Sequence, residues 1–234
     1  MTIAFQNYEA SVAAPQDKLG AVSALLGATP IRRGLYRNLF KRVMDLTTMV
    51  AVAPIVVPVV ATLALLVSRE GGSPFYSQMR VGKGGKSFRM WKLRTMVRDA
   101  DVRLEEYLAA DPQARLEWDS TQKLKSDPRI TAFGRFLRRS SMDELPQLWN
   151  VFKGEMSLVG PRPMMLSQQT LYPGSAYYAL RPGITGHWQT AGRNRTTFEA
   201  RAEYDSAYEQ NVSLMTDAKV IVKTFGVVLN GTGY

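Results

Sequence analysis

The amino-acid sequence predicts an α+β protein that is mostly helical, with a small β-hairpin and one helix that enters a membrane. Three observations predict this fold. Residues 46–68 contain no charged side chain and are mostly Val, Ala, Leu and Ile, as is typical of a membrane helix. Partly alternating segments on either side of residues 82–85 predict a hairpin. Residues 99–125 place apolar side chains, such as Leu104 and Leu108, at helical spacing.

The composition limits the chemistry that the chain can perform. Its 234 residues include 30 Lys and Arg against 20 Asp and Glu, a formal net charge of +10. Such a charge favours an anionic partner: a nucleic acid, a membrane surface or a phosphorylated substrate. The chain has no cysteine, which excludes disulfides, cysteine-ligated zinc and thiol catalysis. We expect the single histidine, His187, to be structural or to contact substrate.

The chain divides into three predicted segments. Residues 1–40 are expected to form a poorly ordered leader, rich in Ala, Ser and Gly, with a possible short amphipathic helix around residues 19–26. This leader lacks the pattern of a signal peptide. We expect the membrane helix over residues 41–70, and a membrane-associated domain that carries the chemistry over residues 71–234.

The uncharged run is long enough to cross a bilayer. At ~1.5 Å per residue its 23 residues would extend roughly 34 Å as a helix, against ~30 Å of hydrocarbon. Pro54 and Pro58 lie in the middle of the run, and each removes a backbone donor, so a kink or break is expected there. Basic residues flank both ends, so the positive-inside rule does not choose an orientation. The residues alone leave open a kinked spanning helix and a broken helix that returns to its own side.

Residues 71–98 carry a cluster of positive charge and no acidic residue. These cations could contact anionic lipid headgroups or a substrate phosphate. The last three residues of a P-loop are present at 85–87, but Arg80 stands where that motif requires glycine. A nucleotide-binding P-loop is therefore excluded.

Adjacent carboxylates, Asp143 and Glu144, follow the basic pair Arg138 and Arg139. Ser141 and Glu144 have the spacing of a capping box, whereas Pro146 favours a helix that begins slightly later, since proline is tolerated only in the first turn. Either interpretation places Asp143 at a helix N-terminus. There a helix dipole would stabilise the ionised carboxylate and a neighbouring phosphate. Paired carboxylates and nearby arginines could hold Mg²⁺ and a phosphate together, because Mg²⁺ commonly takes one or two carboxylates plus substrate phosphates. The alternative is that both acids simply cap a helix.

Further along, three arginines stand in loops rich in Gly and Pro: Arg162, Arg181 and Arg193. An arginine held in a rigid loop can bind phosphate through two hydrogen bonds at low entropic cost. Each loop alone could equally be an ordinary turn.

Taken together, these motifs resemble the bacterial sugar transferase family, the small monotopic phosphoglycosyl transferases. The resemblance extends from about Lys41 to Tyr234, and is most specific to enzymes that transfer a hexose-1-phosphate to begin exopolysaccharide synthesis. The matched stretches, in chain order, are residues 41–45, 72–76, 80–82, 88–96, 141–150, 156–163, 181–186 and 192–194.

The resemblance implies an activity and assigns roles to residues. Such enzymes move a sugar-1-phosphate from a UDP-sugar, with galactose and glucose as leading candidates, to undecaprenyl phosphate, and release UMP. Asp143 would be the nucleophile that forms a covalent phosphosugar intermediate. Glu144, with Asp143, would bind Mg²⁺. The substrate-binding candidates are Lys92, Arg94, Arg138, Arg162, Arg181, Arg193 and Asn194.

The resemblance also implies a location and a topology. Family members insert a broken, re-entrant helix into one leaflet of the bacterial inner membrane and keep the catalytic domain on the cytoplasmic face. In this chain the break falls at Ala53–Pro54, where the family typically has Ser-Pro, with Pro58 added. We expect interfacial amphipathic helices, including residues 217–229, and a homodimer is plausible.

Two other functions compete with this one: a membrane-tethered nucleic-acid-binding protein and a non-catalytic scaffold. We expect no nucleic-acid partner, because the sequence contains no helix-turn-helix, RRM or zinc-finger signature.

Overall fold

A computed structural model describes residues 34–121, 124–191 and 198–229. Most of the predicted leader, with the possible helix around residues 19–26, lies outside these ranges. The end of the leader does not: residues Tyr36–Phe40 form a π-helical turn that runs into the following helix. Helical structure thus begins before the predicted boundary at residue 41.

The first α-helix, α1 (Lys41–Ser68), is the apolar helix that the sequence predicts. With the preceding turn, it is long and apolar enough to cross a membrane by length and composition. The helix is continuous through Pro54 and Pro58, because a proline costs one helical hydrogen bond and need not end the helix. Its path relative to a bilayer stays a prediction.

The remaining described elements are short. The β-hairpin predicted around residues 82–85 is confirmed, with a 3₁₀ turn at Lys83–Gly85 between its strands. A second small sheet pairs two three-residue strands in parallel, with Ser157 opposite Gly183 and Val159 opposite Thr185. The elements after α1 are β1 (Phe75–Val81), β2 (Ser87–Leu93), α2 (Ala100–Ala110), α3 (Pro112–Thr121), α4 (Ala132–Arg139), α5 (Gln147–Lys153), β3 (Ser157–Val159), α6 (Ala176–Ala179), β4 (Gly183–Thr185), α7 (His187–Ala191), α8 (Arg201–Gln210) and α9 (Leu214–Leu229).

The chain packs as two compact units. Of the described residues, the first unit comprises 34–52, 78–90, 147–191 and 198–227; the second comprises 53–77, 91–121, 124–146 and 228–229. The helix α1 therefore contributes its N-terminal half to the first unit and its C-terminal half to the second. This division by packing is independent of the predicted division by membrane location.

The first unit has an aromatic core and a buried polar centre. Tyr172, Tyr177 and Tyr178 pack edge to face in the core. Elsewhere in the unit, Asp217 of α9 is fully buried and accepts hydrogen bonds from Lys41 Nζ (2.5 Å) and from the hydroxyl of Tyr208 (2.6 Å). These contacts attach the C-terminal helix to the start of α1.

The second unit has two apolar clusters. One contains Leu104 and Leu108 of α2, Ala114 of α3 and partly buried Trp118, so these two helices form a helical hairpin that breaks at Asp111. The other surrounds the C-terminal half of α1; its members are Leu63, Ala64, Val67, Leu93, Leu137, Phe133, Met142 and Leu145. This second cluster positions the acidic pair described next.

Candidate active site

Asp143 and Glu144 lie in a 3₁₀ turn, Met142–Glu144, that follows α4. The two residues that flank the pair, Met142 and Leu145, pack into the apolar cluster around the C-terminal half of α1. Burying the flanking side chains holds the turn in place and leaves the carboxylates to face the neighbouring cations. The acidic pair is therefore attached to the C-terminal half of α1 by packing within one unit.

The predicted capping box between Ser141 and Glu144 is wrong. Ser141 adopts a left-handed backbone (φ 57°) and makes no side-chain capping hydrogen bond; its carbonyl instead accepts from the amide of Glu144 at 3.2 Å. The helix α5 begins at Gln147, directly after Pro146, which agrees with the later start that this proline predicts and leaves Asp143 in the turn before the helix. A three-residue turn has little dipole, so neighbouring side chains must supply the electrostatic stabilisation.

Two predicted cations lie beside the acidic pair. Lys92, on β2, places its Nζ atom 2.7 Å from Glu144 Oε1 and 3.8 Å from Asp143 Oδ2. Arg138, in the last turn of α4, donates from Nε to Thr95 Oγ1 at 2.9 Å. Its charge also acts on Asp143. Four of the predicted site residues thus come together in the second unit.

Opposing effects set the protonation of Asp143. Burial raises the pKa of this carboxyl above its usual value, and the negative charge of Glu144 raises it as well. The positive charges of Lys92 and Arg138 act in the opposite direction. Asp143 is 7% exposed, so burial outweighs the two cations in the free protein.

Arg94 has a structural partner. Its Nη2 atom donates to the carbonyl of Val67 at 3.1 Å, in the last turn of α1, where a cation also suits the helix dipole. Gly72 makes room for this contact: it has φ +78°, and a Cβ atom there would lie 2.7 Å from Arg94 Nη1. The predicted role of Arg94 in substrate binding stays a prediction beside this structural one.

The other predicted arginines lie in the first unit or outside the described residues. Arg162 lies over the ring of Trp188, with 5.8 Å from Cζ to the ring centroid, and its carbonyl accepts from Arg201 Nη2 at 2.6 Å. Arg181 Nε donates to the carbonyl of Gly154 at 2.9 Å. Arg193 and Asn194 lie outside the described residues.

His187 is held in the first unit by an edge contact with Tyr208, with ring centroids 5.3 Å apart. Burial lowers the pKa of its imidazole, which favours the neutral form. This contact fits the structural role expected for the histidine.

Two residues of this region escaped the sequence reasoning. Thr95 was passed over although it follows Lys92 within the same matched stretch. Asp127 binds Arg129 through two hydrogen bonds of 2.9 and 2.7 Å, and the charge of its carboxylate also acts on Arg138. The run Asp-Pro-Arg was the available signal, because a carboxylate and an arginine two residues apart in a turn can pair.

Comparison with known proteins identifies the family. The sequence model that describes bacterial sugar transferases matches residues 36–231. The chain belongs to the bacterial sugar transferase family.

Named relatives agree with this assignment. The chain is 47% identical over 195 residues to the UDP-galactose-lipid carrier transferase of Erwinia amylovora, covering 82% of this chain and 41% of that protein. It is 45% identical over 195 residues to the undecaprenyl-phosphate galactose phosphotransferase of Salmonella typhimurium, covering 82% of this chain and 41% of that one. It is 44% identical over 173 residues to the exopolysaccharide production protein ExoY of Rhizobium meliloti, covering 73% of this chain and 76% of that protein. The chain thus spans about two-fifths of the first two relatives.

The acidic pair of the transferase fits a magnesium ion that is shared with substrate. Within the described ranges, no group of three or more His, Asp or Glu side chains is arranged to hold a metal. Two carboxylates suffice when substrate phosphates complete the coordination, as is common for Mg²⁺. Glu144 and Asp143 are the residues that would hold the ion, and Lys92 would share Glu144 with it.

The raised pKa of Asp143 predicts the pH dependence of the transferase. If the ionised carboxylate is required, kcat/KM falls as the pH falls through this pKa, because that ratio reports the free enzyme. This fall, the acidic limb of the plot of kcat/KM against pH, is therefore expected at a higher pH than an aspartate with an ordinary pKa would give. Lys92→Met removes the main factor that lowers this pKa, so it should move the limb to still higher pH.

The control for this profile is Lys86→Met, which removes a positive charge from an exposed position just before β2 and should not shift the limb. A limb that stays at the same pH in Lys92→Met would contradict the assignment of that limb to Asp143.

Proposed function

We propose that this protein transfers a hexose-1-phosphate from a UDP-sugar to undecaprenyl phosphate, as the first membrane step of exopolysaccharide assembly. The names of two relatives support this proposal: one is a UDP-galactose-lipid carrier transferase and the other an undecaprenyl-phosphate galactose phosphotransferase. Galactose and glucose are the sugars we propose to test first.

The observation that carries the proposal is the arrangement of Asp143, Glu144, Lys92 and Arg138. A buried carboxylate beside a second carboxylate and two cations suits the transfer of a phosphoryl group, where negative charge must be stabilised in the transition state. A carboxylate can also act as a covalent nucleophile. The site can then serve two phosphate-bearing substrates in turn.

The proposed reaction has two displacement steps. In the first, a carboxylate oxygen of Asp143 attacks the phosphorus that carries the sugar, and the bond from that phosphorus to the oxygen of UMP breaks. UMP leaves, and the sugar phosphate stays bound to Asp143. In the second, a phosphate oxygen of undecaprenyl phosphate attacks the same phosphorus, and the bond to Asp143 breaks. The carboxylate is regenerated, and the lipid carries a diphosphate-linked sugar.

The cations and the metal have separate tasks in this scheme. We expect the guanidinium of Arg138 to bind the transferring phosphate. Lys92 neutralises the acidic pair and favours the ionised form of Asp143. A Mg²⁺ ion held by Glu144 and Asp143 would supply charge neutralisation for the phosphates when bound.

The assay that tests the proposal is UMP release by the full chain in detergent, with a panel of UDP-sugars. The expected result is multiple-turnover release that requires both undecaprenyl phosphate and Mg²⁺ and occurs with one sugar above the others. Without the lipid phosphate, each enzyme molecule should release at most one UMP, because the first step alone then proceeds. Release that is unchanged when the lipid phosphate is omitted would contradict transfer to it. A folded protein that releases UMP from none of the donors would overturn the proposed function.

We also propose that α1 re-enters the cytoplasmic side of the inner membrane, with the remainder of the protein on the cytoplasmic face. Exposed apolar side chains on short helices of the first unit support association with a membrane surface. Trp149 and Phe152 on α5 are 56% and 52% exposed and stack on each other, and Leu214 and Phe225 on α9 are 59% and 66% exposed.

Single cysteines test this topology, because the chain has none of its own. Phe40→Cys and Ser73→Cys place exposed thiols before and after α1; Ser73 is preferable to Gly72, whose backbone does not accept a side chain. We expect both thiols in intact cells to be protected from a membrane-impermeant maleimide and to react after permeabilisation. Labelling of one position in intact cells would instead show a spanning helix.

A further inference from the structure

Thr95 is a buried polar residue to which the proposed reaction gives no role. Its side chain is 6% exposed and lies just after β2, three residues beyond Lys92. The hydroxyl Oγ1 accepts from Arg138 Nε at 2.9 Å. Thr95 therefore connects the strand that carries one cation of the site to the helix that carries the other.

The backbone of Thr95 also positions α4. Its carbonyl accepts from the amide of Thr131 at 3.1 Å, at the residue that caps α4. Gly134 lies so close that a Cβ atom there would approach the carbonyl oxygen of Thr95 to 2.1 Å. The first turn of α4 is thus in direct contact with Thr95, and the last turn is tied to it through Arg138.

The hydrogen bond to Thr95 uses one defined edge of the guanidinium. Among the residues that the structure describes, Thr95 supplies the atom that accepts a hydrogen bond from Arg138. The two terminal nitrogens are left for a ligand, and a planar guanidinium binds phosphate well through two parallel hydrogen bonds. Fixing Nε restricts rotation of the group, so those two nitrogens are presented in one orientation.

Nearby groups also act on the positive charge of Arg138. Asp143 and Asp127 both stabilise the positive charge of Arg138, whereas burial and Arg129 oppose it. Asp127 is bound by Arg129 through two hydrogen bonds, so it is already neutralised in large part. The hydroxyl of Thr95 is uncharged and does not compete with a phosphate for the charge of Arg138.

We propose that Thr95 is a positioning residue, whose hydroxyl orients Arg138 so that its terminal nitrogens bind the phosphate transferred at Asp143. This inference rests on the proposed function. Thr95 itself would not contact the substrate; it would act through the guanidinium.

The test compares Thr95→Val and Thr95→Ser by UMP release from the full chain. Valine keeps the shape of threonine and removes the hydroxyl, and serine keeps the hydroxyl. We expect kcat/KM for the UDP-sugar to fall about 10- to 100-fold in Thr95→Val, as expected for losing a hydrogen bond to a charged group. Thr95→Ser should retain kcat/KM within about 3-fold, and both variants should keep the wild-type melting temperature within about 3 °C.

A second background shows whether Thr95 acts through Arg138. Arg138→Lys has no guanidinium for Thr95 to orient. Adding Thr95→Val to Arg138→Lys should therefore cause no further fall in kcat/KM. If the two residues acted independently, the fold-reductions of the single variants would multiply. This comparison remains informative even if Thr95→Val lowers stability, because the double variant carries the same destabilisation.

The matched control is Ser140→Ala, which removes a hydroxyl near Arg138 that bonds only to the carbonyls of Phe136 and Leu137 in the same helix. It should retain wild-type kcat/KM. Wild-type activity in Thr95→Val, or a loss that Thr95→Ser does not restore, would overturn the positioning role and leave the proposed function standing. Absence of UMP release by the wild-type protein would overturn both.

Discussion

Asp143→Asn is expected to reduce UMP release by at least about 10⁴-fold, because the amide cannot displace UMP and removal of a covalent nucleophile typically costs several orders of magnitude. The amide has nearly the shape of the carboxylate, and Asp143 is held by packing of its neighbours rather than by its own charge. The protein should therefore stay folded and membrane-associated.

Mass spectrometry supplies an independent readout of the same prediction. Incubation of the wild-type protein with the UDP-sugar, without lipid phosphate, should add the mass of one hexose phosphate to the peptide that contains Asp143. The asparagine variant should not acquire this mass. Turnover like that of wild type in Asp143→Asn would remove Asp143 as the nucleophile.

Asp119→Asn is the control for this variant. Asp119 lies on α3 with its side chain 57% exposed, and its partner Arg115 is 3.4 Å away. The same chemical change at this exposed position should leave UMP release unchanged, since surface ion pairs contribute little.

Asp217→Leu is expected to cause the largest loss of stability. The carboxylate is fully buried, and it accepts hydrogen bonds from Lys41 and from the hydroxyls of Tyr36 and Tyr208. Removing it leaves a largely buried ammonium group and two hydroxyls without their partner. Breaking one side of a buried ion pair typically costs ~3–5 kcal/mol, so the melting temperature should fall by about 6–20 °C.

The double variant Lys41→Met with Asp217→Leu separates lost pairing from lost packing. Replacing both charges should recover part of the stability, because no buried charge is then left unpaired. Asp119→Leu, at an exposed position, should change the melting temperature by less than about 2 °C. A melting temperature in Asp217→Leu equal to that of wild type would show that this carboxylate does not hold α9 to the start of α1.

Local sequence patterns were sufficient to predict much of the architecture. The uncharged run, the hairpin around residues 82–85 and the helices within residues 99–125 all appear in the structure, because each depends on neighbours a few positions apart. The helix over residues 217–229 was predicted for the same reason and is confirmed as part of α9.

The capping box at Ser141 shows where local patterns fail. Its residue types and spacing were correct, but the left-handed backbone of Ser141 removes the geometry that the motif needs. Packing of Met142 and Leu145 against α1 accompanies this conformation. A side-chain cap at a helix N-terminus stabilises a protein by about 1 kcal/mol. Packing two large, partly buried apolar side chains into a core contributes more than that.

The sequence alone determined the long apolar helix, the acidic pair and the family to which the matched motifs belong, because these are read from residues that stand together along the chain. Only the tertiary structure decided which side chains meet: Lys92 with Glu144, Arg138 with Thr95, and Asp217 with Lys41. These partners are separated by 52, 43 and 176 positions, respectively. Contacts between residues so far apart depend on how whole helices and strands pack. The spacing of residues within a short stretch of sequence does not specify this packing.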